Sequence, residues 1–503
     1  MKAPVSLVMD CGSTNLTVIA IDAKGRIEKG ESMPNGTASQ PAGPPSWRIW
    51  DLDDLWSKLC RASKAMCGRI AKDRLHAVTV TTWGADGTPV RPDGTLAYPI
   101  ISWQCDRTKE MMPVVAKKVT PCKLFEKTGY QIIHFNSLLR LMWLRKHVPQ
   151  ALDPKNRWVA MPGLISMKLT GELSIDPTHA STGMMMDLGR RDWADDLLAV
   201  AGVDRSFFPR WVEPGEVIGK VTRRAAKETG LPEGLPVVAA GHDTQFAPIG
   251  SGAKPGDAIL STGTWEILMS PVSKFAPNRM GFTEGLIIEA GAVPGMWDPQ
   301  MLMMGSGVLE WVRRYFYADV TKRETAYATM IADAEKAGPG AGGVMLVPSF
   351  VSGTGPTKKH NTLGTVLGLQ VTTDRAQVYR AALEGLCFQL KDALRVLSAA
   401  AGFRGKGIRV VGGGSKNDLW NQLRADITGL PVTTIAQKEA TALGAAIVAF
   451  VGAGVYGSIA EAQRGFKFGQ TTFEPGRGRG VYEELFQKYL SVPKALRGFY
   501  RPA

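Results

Sequence analysis

The sequence predicts an α/β protein assembled from two related halves, and three observations carry that prediction. Short apolar runs such as Ala77 to Thr81, Val237 to Ala240 and Ile408 to Val411 alternate with helical stretches such as Ser137 to Lys146 and Gln377 to Leu397. That alternation is the pattern of helices packed on sheets. A hairpin plan near the N-terminus recurs half a chain later. The chain has 503 residues, room for two to four domains of ~100–200 residues each.

In chain order, Val5 to Met9 reads as a strand, Asp10-Cys11-Gly12-Ser13-Thr14 as a polar turn, and Leu16 to Ile21 as a returning strand. Ala258 to Leu260, Ser261-Thr262-Gly263-Thr264 and Trp265 to Met269 repeat that plan. Two hairpins can look alike by chance, but a spacing of half the chain favours duplication. Pro34 to Pro45, Gly338 to Gly343 and Gly353 to Gly364 read as loops, and the small residues from Asp243 to Gly256 suit a hinge or crossing between halves. Ala440 to Ala460 carries no charge, yet its glycines (Gly444, Gly452, Gly454, Gly457) and the break near Tyr456 favour a buried helix followed by a turn over a membrane span. The tail from about residue 474, with Gly476-Arg477-Gly478-Arg479-Gly480, reads as a solvated basic extension wrapping the C-terminal half.

The composition is that of a globular protein, 44% hydrophobic, with 60 Lys plus Arg against 46 Asp plus Glu and a formal charge of +14. That sign suits an anionic partner: nucleic acid, an anionic membrane or a phosphorylated small molecule. No RNP box or zinc finger supports nucleic-acid binding. The six cysteines are scattered without a CxxC pair, and the first apolar run is too short for a signal peptide, so reduced thiols and a cytoplasmic location are the expectation.

Several turns carry groups suited to chemistry. Asp10 cannot bind phosphate itself, so beside the donors of Gly12, Ser13 and Thr14 its natural role is to hold Mg²⁺ through water. Ser261 to Thr264 offers a second donor set without a carboxylate, and two such hairpins converging would clamp an ATP tail. Val410-Val411-Gly412-Gly413-Gly414-Ser415-Lys416-Asn417 ends a strand in side-chain-free backbone, where a flat base or ribose could lie. It is neither a GxGxxG fingerprint nor a P-loop. In Gly241-His242-Asp243-Thr244-Gln245, Asp243 could take the proton of an attacking hydroxyl; equally it could cap a helix beside a structural His242. Thr82 to Gly87 and Ser102 to Arg107 each join a tryptophan to hydrogen-bonding groups, the mixture sugars require, and each is equally an ordinary loop with a packed Trp.

Together these segments resemble the FGGY family of carbohydrate kinases. The likeness runs from about Asp10 to about Phe450. It is carried by Ala240-Gly-His-Asp-Thr-Gln-Phe-Ala247, Leu260-Ser-Thr-Gly-Thr-Trp-Glu-Ile-Leu-Met269, Ser306-Gly-Val-Leu-Glu-Trp-Val-Arg313, Tyr379-Arg-Ala-Ala-Leu-Glu-Gly-Leu386 and Val411-Gly-Gly-Gly-Ser-Lys-Asn417. Phe135 to His147 is similar to the family's first signature, with Arg140 where Lys is usual. The resemblance implies a two-domain actin-like, ribonuclease-H-type α/β fold with an interdomain cleft: residues 1–245 for sugar, 246–503 for nucleotide. It implies Asp243 as catalytic base and Asp10 on the Mg²⁺ side. Ser13, Thr14, Gly263 and Thr264 become phosphate contacts, and Gly413, Gly414 and Asn417 hold adenosine. Ser306 and Glu310 flank the nucleotide, and Trp83, Asp86, Gln104, His242 and Gln245 meet the sugar.

The implied reaction uses ATP and Mg²⁺ to phosphorylate the C1 hydroxyl of a ketose, L-fuculose first, with L-rhamnulose or another ketose or polyol as alternative. A more distant alternative is an actin-like ATP-binding protein without sugar transfer. The expected partner is the small-molecule ketose, with no nucleic acid and no membrane; a homodimer is one state open to the chain. Two departures stand out. Many family members carry Arg or Lys three residues after the Thr of the first phosphate turn, where this chain has Thr17. Thr82-Trp83-Gly84-x-Asp86 is also similar to the family's L-rhamnulose kinases.

Overall fold

A computed structural model describes residues 3–351, 353–436, 439–476 and 480–500. The N-terminal hairpin pairs β1 (Val5–Cys11) with β2 (Asn15–Asp22), and Asp10 stays within the ladder opposite Thr17. With β3 (Ile27–Pro34), β4 (Leu75–Thr82), β5 (Val217–Lys220) and β6 (Pro236–His242) it forms a sheet ordered β5-β6-β4-β1-β2-β3. The second sheet contains β7 (Asp257–Thr262), β8 (Trp265–Met269), β9 (Ile287–Ala290), β10 (Trp297–Met304), β11 (Gly407–Val411), β12 (Val432–Ile435) and β13 (Gln470–Phe473), ordered β9-β10-β8-β7-β11-β12-β13.

Without β9 the two orders match strand for strand. In each, a parallel trio (β6, β4, β1 and β12, β11, β7) is flanked by antiparallel neighbours. The paired hairpins visible in the sequence are therefore one end of a duplicated sheet. Parallel strands are covered on both faces, which is why these runs read as continuously apolar.

Helices supply the covers. On one face of the first sheet, α1 (Leu52–Cys67) and α2 (Met161–Thr170) bring Leu55, Leu59 and Leu164 against Leu7 and Val78. The chain crosses to the second sheet through α3 (Ala247–Gly250). There follow α4 (Ser306–Phe316), α5 (Arg375–Ala401), α6 (Asp418–Thr428), α7 (Ala440–Gly452) and α8 (Gly480–Ala495). A capping box, Asp374 with Gln377, starts the long α5.

The uncharged stretch is indeed a buried helix, and its destination is the first sheet: Ala442, Leu443, Ala446 and Phe450 of α7 pack with Val8, Ile19 and Ala240. α3 and α7 cross in backbone contact. A Cβ on Gly250 would lie 1.8 Å from the Ala440 carbonyl oxygen, and one on Gly444 2.0 Å from that of Phe246, so glycine is what permits the crossing. Among the described residues no helix is long and apolar enough to span a membrane, and all six cysteines are free thiols.

The tail departs from expectation. Rather than a solvated extension, it ends in α8, whose Tyr482, Phe486 and Tyr489 are buried against α5 residues including Phe388. Aromatic side chains four and three residues apart give one apolar helix face. Arg477, Gly478 and Arg479 of the basic run lie outside the described residues.

Candidate functional site

Strand pairing places the acidic groups. Cys11 and His242 both pair with Thr82, so Asp10, Trp83 and Asp243 sit together where the parallel strands β1, β4 and β6 end. Carboxyl ends of parallel strands are where α/β sheets bind ligands. Asp10 accepts the Thr81 hydroxyl at 2.9 Å. Burial and the nearby Asp243 push its pKa up to about 7, against the Thr81 hydrogen bond, with Glu439 adding to the rise. Asp243 opens a short turn, accepting the Thr244 N–H at 2.6 Å and its hydroxyl at 3.1 Å. Burial raises its pKa, although the His242 charge and the Thr244 hydrogen bonds oppose the shift. The capping alternative therefore holds geometrically, and the same carboxylate also stands at the strand edge beside Asp10.

Asp10, with Glu439 near enough to act on it, fits a hydrated divalent cation. Among the described residues no cluster of three or more His, Cys, Asp or Glu could cage a metal, so water and phosphate oxygens would complete the shell, as Mg²⁺ prefers. Thr17, opposite Asp10 on β2, donates its hydroxyl to Ser32 at 3.1 Å and contributes no charge. Asn35 fixes the first turn, its side chain donating to the Gly12 carbonyl and its N–H to that of Thr14, both at 2.8 Å. The Ser13 and Thr14 hydroxyls stand at the tip.

In the second half, the β7–β8 hairpin and the Gly-rich turn are neighbours, since Ser261 pairs with Val411. Cβ atoms on Gly412 and Gly414 would strike Thr262, at 2.5 and 2.3 Å, whereas one on Gly413 would have nothing within 4 Å. Gly413 thus offers open backbone on which a ligand could lie. Asn417 caps α6, accepting the Trp420 N–H at 3.0 Å, and its amide reaches the Tyr379 hydroxyl at 3.3 Å. Ser306 is spent locally, its N–H and hydroxyl both donating at 2.8 Å to the Gly263 carbonyl. Glu310 is held by Arg313 at 2.7 Å and the Tyr327 hydroxyl at 3.1 Å. Beneath the hairpin, Glu266 and Arg424 form a fully buried ion pair.

The tryptophan loop is built around Asp86, which is buried. Its Oδ2 accepts from the indole N–H groups of Trp50 (2.5 Å) and Trp83 (2.9 Å) and from the Trp103 backbone N–H (3.1 Å), and its Oδ1 from Arg140. To touch a sugar Asp86 would have to release one of these partners. Trp83 is likewise buried, packed against Trp50 with centroids 4.2 Å apart and the rings tilted by 36°. Gln104 is exposed and accepts the Thr37 hydroxyl at 3.3 Å. His134 was not visible as a candidate in the sequence; the structure joins it to Trp103 of the Ser102 to Arg107 segment through His134 Nε2 and the Trp103 carbonyl at 3.0 Å.

His242 and Gln245 both turn toward Glu289, with Nδ1 of His242 at 3.0 Å and Nε2 of Gln245 at 2.6 Å from Oε2. A cavity of ≈ 990 Å³ is lined by Gln245, Pro248, Asp298 and Phe403 but by neither Asp10 nor Asp243; the strand-end geometry, not this cavity, marks the site.

The N-terminal domain model of the FGGY family of carbohydrate kinases matches residues 5–250, and its C-terminal domain model matches residues 258–453. The L-fuculokinase of Escherichia coli (strain K12) is 36% identical over 485 residues, 96% of this chain and all of that protein. An autoinducer-2 kinase of Enterobacter sp. (strain 638) is 28% identical over 509 residues, 97% of this chain and 93% of that one. The crystal structure of xylulose kinase from Rhodospirillum rubrum superposes with a TM-score of 0.88 at 23% identity, covering 99% of this chain and 100% of that one. The fold is thus the two-domain actin-like architecture expected from the sequence.

Proposed function

The chain belongs to the FGGY family of carbohydrate kinases, and from that premise we propose that it transfers the γ-phosphoryl group of ATP to the C1 hydroxyl of L-fuculose. The observation that carries this reading is the pairing of Asp243 and Asp10 at one strand edge. Asp243 accepts the C1 hydroxyl proton as that oxygen bonds to the γ-phosphorus and the bond to the ADP oxygen breaks. Its raised pKa makes it a stronger base than an exposed carboxylate, and the Thr244 N–H holds its orientation. Asp10, with Glu439 nearby, would hold a hydrated Mg²⁺, which supplies charge neutralisation on the phosphate oxygens.

Ser13, Thr14, Gly263 and Thr264 donate to the phosphates from the two duplicated hairpins. Gly413, Gly414 and Asn417 form the adenosine platform, with the open side of Gly413 toward the ligand. Ser306 serves by tying the hairpin to α4, and Glu310 lies further along that helix, at the flank of the nucleotide. On the sugar side we assign contact to Trp103, Gln104, His134 and the Nε2 edge of His242. Trp83 and Asp86 shape the loop from beneath, and Gln245 acts through Glu289. In this scheme residues 1–245 carry the sugar and 246–503 the nucleotide, and the α3–α7 crossing is the hinge on which closure excludes water.

L-Fuculose is preferred over other ketoses because the L-fuculokinase likeness, 36% identity over 96% of the chain, exceeds the 28% of the autoinducer-2 kinase. The test is a panel of ketoses in a coupled ADP-release assay, with phosphorus NMR of the product to fix the phosphorylated carbon. L-Fuculose should give the highest kcat/KM and a C1 phosphate; a higher value for L-rhamnulose or another ketose moves the assignment to that sugar. Asp243→Asn should lower sugar-dependent turnover by about 10²–10⁴-fold. Undiminished turnover would remove Asp243 as base.

A further inference from the structure

Three donors presented by the first half of the chain converge on one carboxylate of the second. Glu289, on β9, is 1% exposed. Its Oε1 accepts the Tyr130 hydroxyl at 3.0 Å, and its Oε2 accepts Gln245 Nε2 at 2.6 Å and lies 3.0 Å from His242 Nδ1. A buried carboxylate without solvent depends on such donors to remain charged, and hydrogen bonds to it are correspondingly strong. Glu289 stands ready to fix the His242 ring.

The backbone that carries the ring is anchored too. The His242 backbone N–H donates to the Thr178 hydroxyl at 2.8 Å, and that hydroxyl donates in turn to Asp176. On the far edge, a Cβ on Gly84 would lie only 2.8 Å from His242 Nε2, so glycine there leaves the ring its place. With Nδ1 committed to Glu289, Nε2 stands 3.5 Å from Asp243 Oδ1. Glu289, His242 and Asp243 form a line from the second sheet to the candidate base.

We propose that Glu289 is a positioning residue that acts through His242 to align Asp243 for proton transfer, and that it couples this alignment to the seating of one half of the molecule on the other. The inference rests on the reading of Asp243 as the base. The charges facing His242 support it. Burial works against its cation, but Glu289 by charge and hydrogen bond, then Asp243 and Asp176, outweigh that and raise its pKa to about 9. His179, whose ring is 5.9 Å away, is kept neutral by burial and by that same cation, and Tyr130 keeps its proton beside Glu289. His242 thus sits between two acidic side chains that favour its protonated form. Replacing Glu289 by an amide sets an NH₂ group among donors and frees the ring to turn from Asp243.

The test is a double-mutant cycle on the full chain, using the ketose that the wild type turns over fastest. Glu289→Gln should lower kcat by about tenfold or more while the KM values for sugar and ATP stay within about twofold; His242→Gln should lower kcat at least as far, and it also raises the sugar KM because the Nε2 contact is lost. The double variant should be no slower than the slower single, because both changes break one line. Glu289→Asp, which keeps the carboxylate, should recover part of kcat; should the amide variant not fold, the cycle is run with Asp instead. Multiplying kcat losses in the double variant, or a raised KM with unchanged kcat in Glu289→Gln, would overturn the proposal. A wild type that turns over no ketose would sink the functional reading and this inference with it; an active wild type with multiplying losses sinks this inference alone.

Discussion

Asp298 pairs with Glu289 across the β9–β10 ladder, is buried, and lines the ≈ 990 Å³ cavity. Burial and the Glu289 charge, opposed by Arg191, push its pKa from 3.8 up to about 7. The folded state therefore holds this proton over a window in which the unfolded chain has released it, so stability falls as pH rises from about 4 to 7. A shift of ~3 units corresponds to at most ~4 kcal/mol. Asp298→Asn should leave the melting temperature near pH 4 almost unchanged and raise it at pH 8. A thermal-melt series in which both proteins show the same pH dependence would refute this. At this scale the sequence is legible where a polar residue ends an apolar run: Asp10 and Asp243 both stand out that way. Glu289 does not, because it is one acid in a strand whose donors lie 159, 47 and 44 residues away. Asp86 was expected at the sugar for its place beside Trp83, but Arg140, 54 residues on, and three tryptophans already occupy it. Only tertiary packing reveals such a partner.

Among the elements, α7 and α8 are the informative cases. The apolar run of α7 shows that it is buried, but hydropathy has no direction and could not say that it covers the first sheet. Its crossing with α3 has no room for a side chain, so Gly444→Ala should destabilise the protein by about 1–3 kcal/mol in chemical denaturation; an unchanged midpoint would mean that the crossing relaxes freely. α8 was hidden by the Gly/Arg run before it, although the spacing of Tyr482, Phe486 and Tyr489 was available as a helical signal. Among the described residues the buried hydroxyl of Tyr489 finds no hydrogen-bond partner. Tyr489→Phe should therefore stabilise by about 1–3 kcal/mol, read as a higher denaturation midpoint, whereas a loss would reveal a partner for that hydroxyl. The Glu266–Arg424 pair braces the β7–β8 hairpin from below. Glu266→Ala should cost about 3–5 kcal/mol by stranding a buried guanidinium, again measured by denaturation.

For the whole molecule, duplication explains why the chain carries two hairpins with similar tips: each is the same corner of a repeated sheet. The second copy carries Gly-rich backbone where the first carries tryptophan and acid, so one architecture presents two chemically different strand ends. The halves are not independent bodies, however. The core of the first sheet includes Ala442, Leu443 and Phe450 of α7 and extends to Phe466. A fragment of residues 1–256 should consequently be insoluble or molten on its own, and co-expression with residues 257–503 should restore a soluble complex. A fragment 1–256 that melts cooperatively would contradict this interlocked arrangement.

The return of α7 to the first sheet also orders events on the ribosome. The N-terminal half cannot close its core as it emerges, since the helix that seals its second face is encoded in the last part of the chain. Until then the outer faces of Val8, Ile19 and Ala240 are uncovered, an exposed apolar surface that invites association or chaperone binding. The α3–α7 crossing and the closure of the first core therefore come together in one late step of synthesis.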